Sequence, residues 1–288
     1  MIRKLKFAII LFALAFLCLA STGWADNSGL GLSTSLSLVE QGGAISNPLW
    51  PFPDIPLPPF LWRPDLTGDY RNVGSDGAAL DLSPAPDNPY HPQGYAPPLG
   101  SFSNGWVISN PSQDSNPPGE SSVVIVPYNP DVSYLGSLFS MVFKVKFGAG
   151  GNSCVLGFSG SSLADIWRVY YNNYDFPLEA DFISGDNVLD KQGIILLEAE
   201  VEYIIVVTFN SGVFHFYING VEDTIIEGGA SEGTLTSMPD TGDGVCIGDD
   251  SFYPNESSPD GTIFKAVAVH KGIAYTPAQA AEITAGLQ

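Results

Sequence analysis

The stretch YIIVVTFNSGVFHFYING (203–220) decides the fold. Its first seven residues are continuously apolar and rich in β-branched side chains, the composition of a central strand. Asn210-Ser211-Gly212 is a turn tripeptide. Beyond it Phe214, Phe216 and Ile218 alternate with His215 and Tyr217. Successive strand side chains point to opposite faces, so the first three turn to a core and the other two away from it. The two runs therefore predict a β-hairpin. Outward from it, LFSMVFKVKF (138–147) alternates in the same way. Met141, Phe143, Val145 and Phe147 take one side and Lys144 and Lys146 the other, as in a half-buried strand. SSVVIV (121–126), CVLGFSG (154–160), IWRVYY (166–171), VCIG (245–248) and TIFKAVAV (262–269) complete the predicted strands. Strands at this spacing without helices between them predict an all-β, antiparallel β-sandwich. One short C-terminal helix is predicted over 277–285. Thr276-Pro277-Ala278-Gln279 forms a capping box with Pro at the first helical position, and Gly286 supplies the stop.

The 288 residues carry 31 acids against 11 Lys+Arg, a formal charge of −20. Arg3, Lys4 and Lys6 lie in the first six positions, so the remainder is more acidic still. Such a charge argues against nucleic acid and anionic membranes, whose phosphates need clustered Lys and Arg, and suits cations or neutral sugars. After the basic head, Phe7 to Ala20 is an apolar run, too short to span a bilayer comfortably. Together they read as a secretory signal peptide over 1–25, with cleavage after Ala20 or, preferred here, after Ala25. No other segment is long and apolar enough to span, so the expected location is secreted or in the periplasm and cell envelope. Residues 26–64 read as a linker, Gly/Ser-rich and then Pro-rich. NPLWPFPDIPLPPFLWRP (47–64) interleaves prolines with Trp50, Phe52, Phe60 and Trp62, which suggests polyproline-like chain unable to enter a sheet interior. Two roles stay open for it: a spacer whose aromatics dock on the domain that follows, or a docking peptide for a protein partner. The sandwich is placed at 65–288. Export makes a bridge between Cys154 and Cys246 one reading and two buried thiols the other.

YIIVVTFNSGVFHFYINGVED (203–223), VCIGDD (245–250) and DGTIFKAVAVHKGIAYTPAQAAEI (260–283) together resemble the concanavalin A-like lectin/glucanase superfamily, in its laminin-G-like form. The order is similar: a strand, a short turn, a strand ending in Asn-Gly, an Ile-Gly strand, then a last strand and a short helix. The resemblance covers about 121–286 and implies a jelly-roll, concanavalin A-like sandwich. It departs where relatives often carry an Asp-Glu pair in the last strand, since Phe264, Lys265 and Ala266 stand there.

The chemistry-bearing candidates are few. Glu198, Glu200 and Glu202 would share one face of a strand, and retaining glycosidases use two carboxylates about 5–5.5 Å apart. The superfamily's glucanases carry a similar Glu-x-Asp-x-Glu strand, which would make Glu198 the nucleophile and Glu202 the acid/base. The longer Glu200 in place of Asp, and the absence of a tryptophan-rich cleft nearby, argue for an exposed acidic turn instead. Calcium takes six to eight oxygen ligands. Asp243 in MPDTGDG (238–244) and Asp249, Asp250, Asn255 and Asp260 in GDDSFYPNESSPDG (248–261) would supply them at one rim. Sugars stack on aromatic faces flanked by polar groups. Trp167, Tyr170, Tyr171, Tyr174 and Tyr253 are candidates, with Asn172 and Asn173 beside them. Arg168 and Tyr170 share one strand face and Trp167 and Tyr171 the other, so only one pair looks outward.

The expected function is a secreted, non-catalytic binding or adhesion protein for an extracellular polysaccharide, glycoprotein or protein surface, with calcium as the candidate cofactor. A structural component of an envelope, filament or particle surface and a glycoside hydrolase on the same fold are the alternatives.

Overall fold

The protein is described here from a computed structural model. It covers residues 47–84, 100–108, 124–149, 153–158, 165–171, 177–227, 234–238, 240, 242, 244–248, 258 and 260–288. In chain order the strands are β1 (Phe60–Trp62), β2 (Ser83–Pro84), β3 (Ser101–Phe102), β4 (Trp106–Val107), β5 (Val124–Val126), β6 (Leu138–Lys146), β7 (Ser153–Phe158), β8 (Asp165–Tyr171), β9 (Leu178–Ser184), β10 (Asn187–Gln192), β11 (Glu202–Asn210), β12 (Val213–Ile218), β13 (Val221–Glu222), β14 (Ile226–Glu227), β15 (Val245–Ile247) and β16 (Ile263–Lys271). The helices are α1 (Pro64–Thr67) and α2 (Pro277–Leu287).

The strands form two antiparallel sheets. The first runs β13-β12-β11-β6-β16-β4-β3, with β1 also on β16; the second runs β14-β10-β9-β8-β7-β15-β5-β2. The hairpin forms as its sequence predicts, Asn210 opposite Val213 and Ile205 opposite Ile218. Phe214, Phe216 and Ile218 face the core between the sheets, where Phe182 stacks on Phe214 at 4.7 Å and Phe139 on Phe209 at 5.1 Å.

The outer face of the first sheet is covered as well. Leu61, Val142, Ile204, Val206, Tyr217 and Ala268 lie beneath Trp50, Phe52 and Ile55 on one side and Ala280, Ile283 and Leu287 of α2 on the other. β6 is therefore buried on both faces rather than half-buried. Lys144, expected in solvent, is 8% exposed, and its Nζ donates to the Leu287 carbonyl at the end of α2.

This second core bears out the docking of the segment's aromatics on the domain, and corrects the reading of 47–64 as a linker outside the sheets and as a partner's docking peptide. Phe60 and Trp62 are completely buried in the main core, and Trp50 and Phe52 are 4% exposed in the outer one. Phe60, Leu61 and Trp62 pair with Val269, Ala268 and Val267. Prolines flank this three-residue strand, and Asn72 completes its hydrogen bonding. Asn72 Oδ1 accepts from Leu61 N–H at 2.8 Å, and its Nδ2 donates to the Pro59 carbonyl at 3.1 Å. Buried backbone groups need such partners. The sandwich thus begins on the N-terminal side of residue 65.

The capping box of α2 forms, with Gln279 N–H donating to Thr276 Oγ1 at 3.3 Å and Thr276 N–H to Gln279 Oε1 at 2.9 Å. Gly286, expected to stop the helix, lies inside it, and its missing Cβ leaves room for the Phe52 ring. Alanine is the better helix former by about 1 kcal/mol. Nevertheless Gly286→Ala drives a methyl into a buried ring, and such overpacking costs about 1–3 kcal/mol. A thermal melt should show Tm lowered by several degrees; a Tm at or above the parent's would remove the packing role.

Cys246 is fully buried and stands opposite Gly157, three positions along β7 from Cys154. That offset is about 10 Å of strand, more than the Cα separation a disulfide bridges, so of the two readings the register favours thiols over the bridge, and Cys246 is a thiol.

Candidate functional site

The second sheet sends Trp167, Val169, Tyr171, Ala180 and Phe182 into the core. By the two-residue period of strands, Arg168, Tyr170, Glu179 and Asp181 point to its outer face. Register aligns Gly157, Arg168, Asp181 and Asp190 in one row across β7 to β10, with Tyr170 beside Glu179 in the next.

Arg168 organises this row. Its Nε donates to Asp181 Oδ2 at 2.9 Å, its Nη2 lies 2.8 Å from the same oxygen, and its guanidinium sits 4.5 Å from the Tyr170 ring centroid. The paired side chains are only 15% and 13% exposed. Desolvation pushes the Asp181 carboxyl up to about 6, with repulsion from Asp190 and Glu179 adding to it and Arg168 opposing it. Desolvation, then the charge of Asp181, holds the Tyr170 phenol far above its ordinary range, so it stays neutral and can donate. A flat ring, a fixed cationic fork and carboxylates on one sheet face suit a ring-shaped, hydroxyl-bearing ligand.

Of the five aromatics proposed from sequence as ligand-binding, Tyr170 alone takes an outward place among the described residues. Trp167 is completely buried and Tyr171 is 3% exposed. Tyr171 stacks on Phe147 at 4.6 Å and donates to the Leu197 carbonyl at 2.8 Å. Core packing claims both, a correction to their assignment. Tyr253 lies outside the described residues, as do Tyr174, Asn172 and Asn173.

Glu198, Glu200 and Glu202 do not share a strand face. The first two lie in the connection before β11, where Glu200 adopts φ +64° and Glu202 opens the strand. Glu200 pairs with Lys146 at 2.6 Å; Glu202 pairs with Lys265 at 2.5 Å and Lys144 at 3.4 Å. Burial acts to raise the Glu202 carboxyl, but the hydrogen bond from Lys265 and the Lys144 charge outweigh it and hold it below the ordinary range. A general acid needs the opposite shift, so the Glu198–Glu202 dyad weighed from sequence is not assembled, and Glu198 and Glu200 lie in the acidic turn expected in its place.

Among the calcium candidates, Asp243, Asp249, Asp250 and Asn255 lie outside the described residues, and Asp260 is exposed. Gly244 and Gly248, where the two acidic loops join the sheet, stand at opposite ends of β15. No group of three His, Cys, Asp or Glu able to hold a metal occurs among the described residues. Among them, too, no helix is long and apolar enough to cross a membrane. His215 Nδ1 lies 2.7 Å from Glu222, and the buried His270 lies 2.9 Å from the Tyr275 hydroxyl, both on the first sheet.

No protein-family model matches the chain, and no curated protein matches it in sequence. Solved structures do. Domain 4 of AbnA, a GH43 extracellular arabinanase from Geobacillus stearothermophilus in complex with arabinotriose, aligns with a TM-score of 0.57 at 12% identity over 79% of this chain and 98% of that domain. The binding domain of botulinum neurotoxin serotype D aligns with a TM-score of 0.51 at 11% identity over 80% of this chain. This chain spans about half of that domain (51%). Topology and likeness agree: the protein is an antiparallel jelly-roll β-sandwich. The likeness goes no finer than that and does not single out the laminin-G-like branch.

Proposed function

We propose that the protein is a non-catalytic carbohydrate-binding module whose contact surface is the outer face of the second sheet, centred on Tyr170 and Arg168. The observation that carries this reading is the asymmetry of the sandwich. Among the described residues, a second core covers the centre of the outer face of the first sheet, whereas the second sheet carries an aromatic–polar row there. The bound arabinotriose of the similar AbnA domain supports a glycan as ligand. The signal-like pattern of the first 25 residues supports a location outside the cytoplasm. The acidic loops at 238–244 and 248–261 offer oxygen ligands for calcium, and cell-surface adhesion is the setting such a module serves.

Affinity electrophoresis of the full chain through gels carrying arabinan, galactan, β-glucan or polygalacturonate, with calcium present, tests the reading. Retardation by a neutral polymer is expected, and Tyr170→Ala should weaken it by about tenfold or more, the scale of one lost aromatic contact with its flanking hydrogen bonds. Absence of retardation by every polymer rejects it. The hydrolytic alternative now rests on Asp181, whose raised carboxyl neighbours Asp190. Reducing ends released by the parent and not by Asp181→Asn would replace binding with catalysis.

A further inference from the structure

Tyr128 is the one aromatic among the large, strongly exposed hydrophobic side chains of the described residues, at 45% exposure. It is also anchored. Its hydroxyl donates to Asp240, 3.0 Å from Oδ2 and 3.2 Å from Oδ1, across 112 residues of sequence. Asp240 Oδ1 in turn accepts from Gly242 N–H at 3.0 Å. The segment that follows Tyr128 is tied down as well. Asn129 Oδ1 accepts from Asp131 N–H at 2.8 Å, the Asn129 carbonyl accepts from Val132 and Ser133 N–H at 2.9 and 2.7 Å, and Lys271 Nζ donates to the Pro130 carbonyl at 2.7 Å. Met238 N–H closes onto the Gly136 carbonyl at 2.9 Å and joins this loop to the chain leading to Asp240.

An exposed ring held at its polar tip presents its apolar surface in a fixed orientation. It gives up little rotamer entropy when a ligand arrives. A ring face beside a carboxylate, with Asp131 on the same loop paired to the Lys271 ammonium at the end of β16, matches the alternating C–H and hydroxyl surfaces of a sugar ring. We propose that Tyr128, oriented by Asp240, is a second sugar-stacking platform, located on the β5–β6 loop at the end of the sandwich and distinct from the Tyr170 row. The inference rests on the carbohydrate-binding reading. Its ligand class is a neutral saccharide ring, because the platform's anchor is itself anionic.

The test uses the full chain in the gel of whichever neutral polymer retards the parent, with Tyr128→Ala, Tyr128→Phe and Tyr170→Ala compared, and thermal melts verify that each is folded. Tyr128→Ala should weaken binding about fivefold to tenfold. Tyr128→Phe, which keeps the ring and loses the anchor, should fall between Tyr128→Ala and the parent. Parent-like retardation of a folded Tyr128→Ala, with Tyr170→Ala impaired, overturns the second platform and leaves the sheet-face reading intact. A parent that no polymer retards removes both. Should Tyr128→Ala fail to fold, Tyr128→Phe decides: weakened retardation supports the anchored platform, and parent-like retardation overturns it.

Discussion

Removal of residues 47–64 is expected to give a chain that does not fold. The deletion takes Phe60 and Trp62 from the main core and Trp50, Phe52, Ile55 and Leu61 from the outer one. It also strips β16 of one of its two neighbours over Val267–Val269, leaving only β6 there. Truncating one buried Phe or Trp costs about 3–5 kcal/mol. Several such losses together exceed the roughly 5–15 kcal/mol of a whole domain. Trp62→Ala isolates one contribution and should lower the unfolding free energy in urea by about 3–5 kcal/mol. The indole also leaves the Asp69 carbonyl without the hydrogen bond it accepts at 2.8 Å. A cooperative melt of the deletion variant within a few degrees of the parent would restore the segment to the status of a spacer.

Replacing Arg168 by Met should destabilise the protein strongly at pH 8 and much less at pH 5. Asp181 titrates at about 6 in the fold against 3.8 ordinarily, so the fold favours its protonated form. The stability linked to a raised carboxyl is complete below the lower value and lost as pH rises through the upper one. In the parent Arg168 limits that loss. Without it, Asp181 faces Asp190 and Glu179 with no compensating charge from this partner, and its carboxyl rises further. Breaking one partner of a mostly buried pair costs about 3–5 kcal/mol when the remaining group is charged, and little once it is neutral. Urea unfolding at the two pH values measures the difference, and the second substitution Asp181→Asn should recover much of the loss at pH 8. An equal loss at both pH values would assign the effect to packing on Tyr170 instead of charge.

The main sheet pairs were legible in the sequence wherever one period dominated. LFSMVFKVKF and the 203–218 hairpin lie where their alternation puts them, and the helix cap forms as its four residues suggest. The Pro-rich segment was not legible, because proline density masks a pairing only three residues long. The site was half legible. The alternation of β8 sorted Arg168 and Tyr170 from Trp167 and Tyr171 but could not say which pair faces out. β9 and β10 escape the sequence reading, though Leu178, Ala180 and Phe182 alternate with Glu179 and Asp181 before a turn at Gly185. Acids at every second position resemble loop until a core is known to lie beneath the others. Glu179, Asp181 and Asp190, the polar half of the site, were missed for that reason.

The pairing of β1 with β16 joins nearly the first described residues of the chain to nearly the last. During synthesis Trp50, Phe52, Phe60 and Trp62 emerge early and wait for Val267–Val269 and α2. Closing so long a loop comes late and slowly, and aromatic surface is left in water meanwhile. The growing chain is therefore aggregation-prone until its final strand is available, and a ribosome stalled before residue 267 would hold a sandwich unable to close.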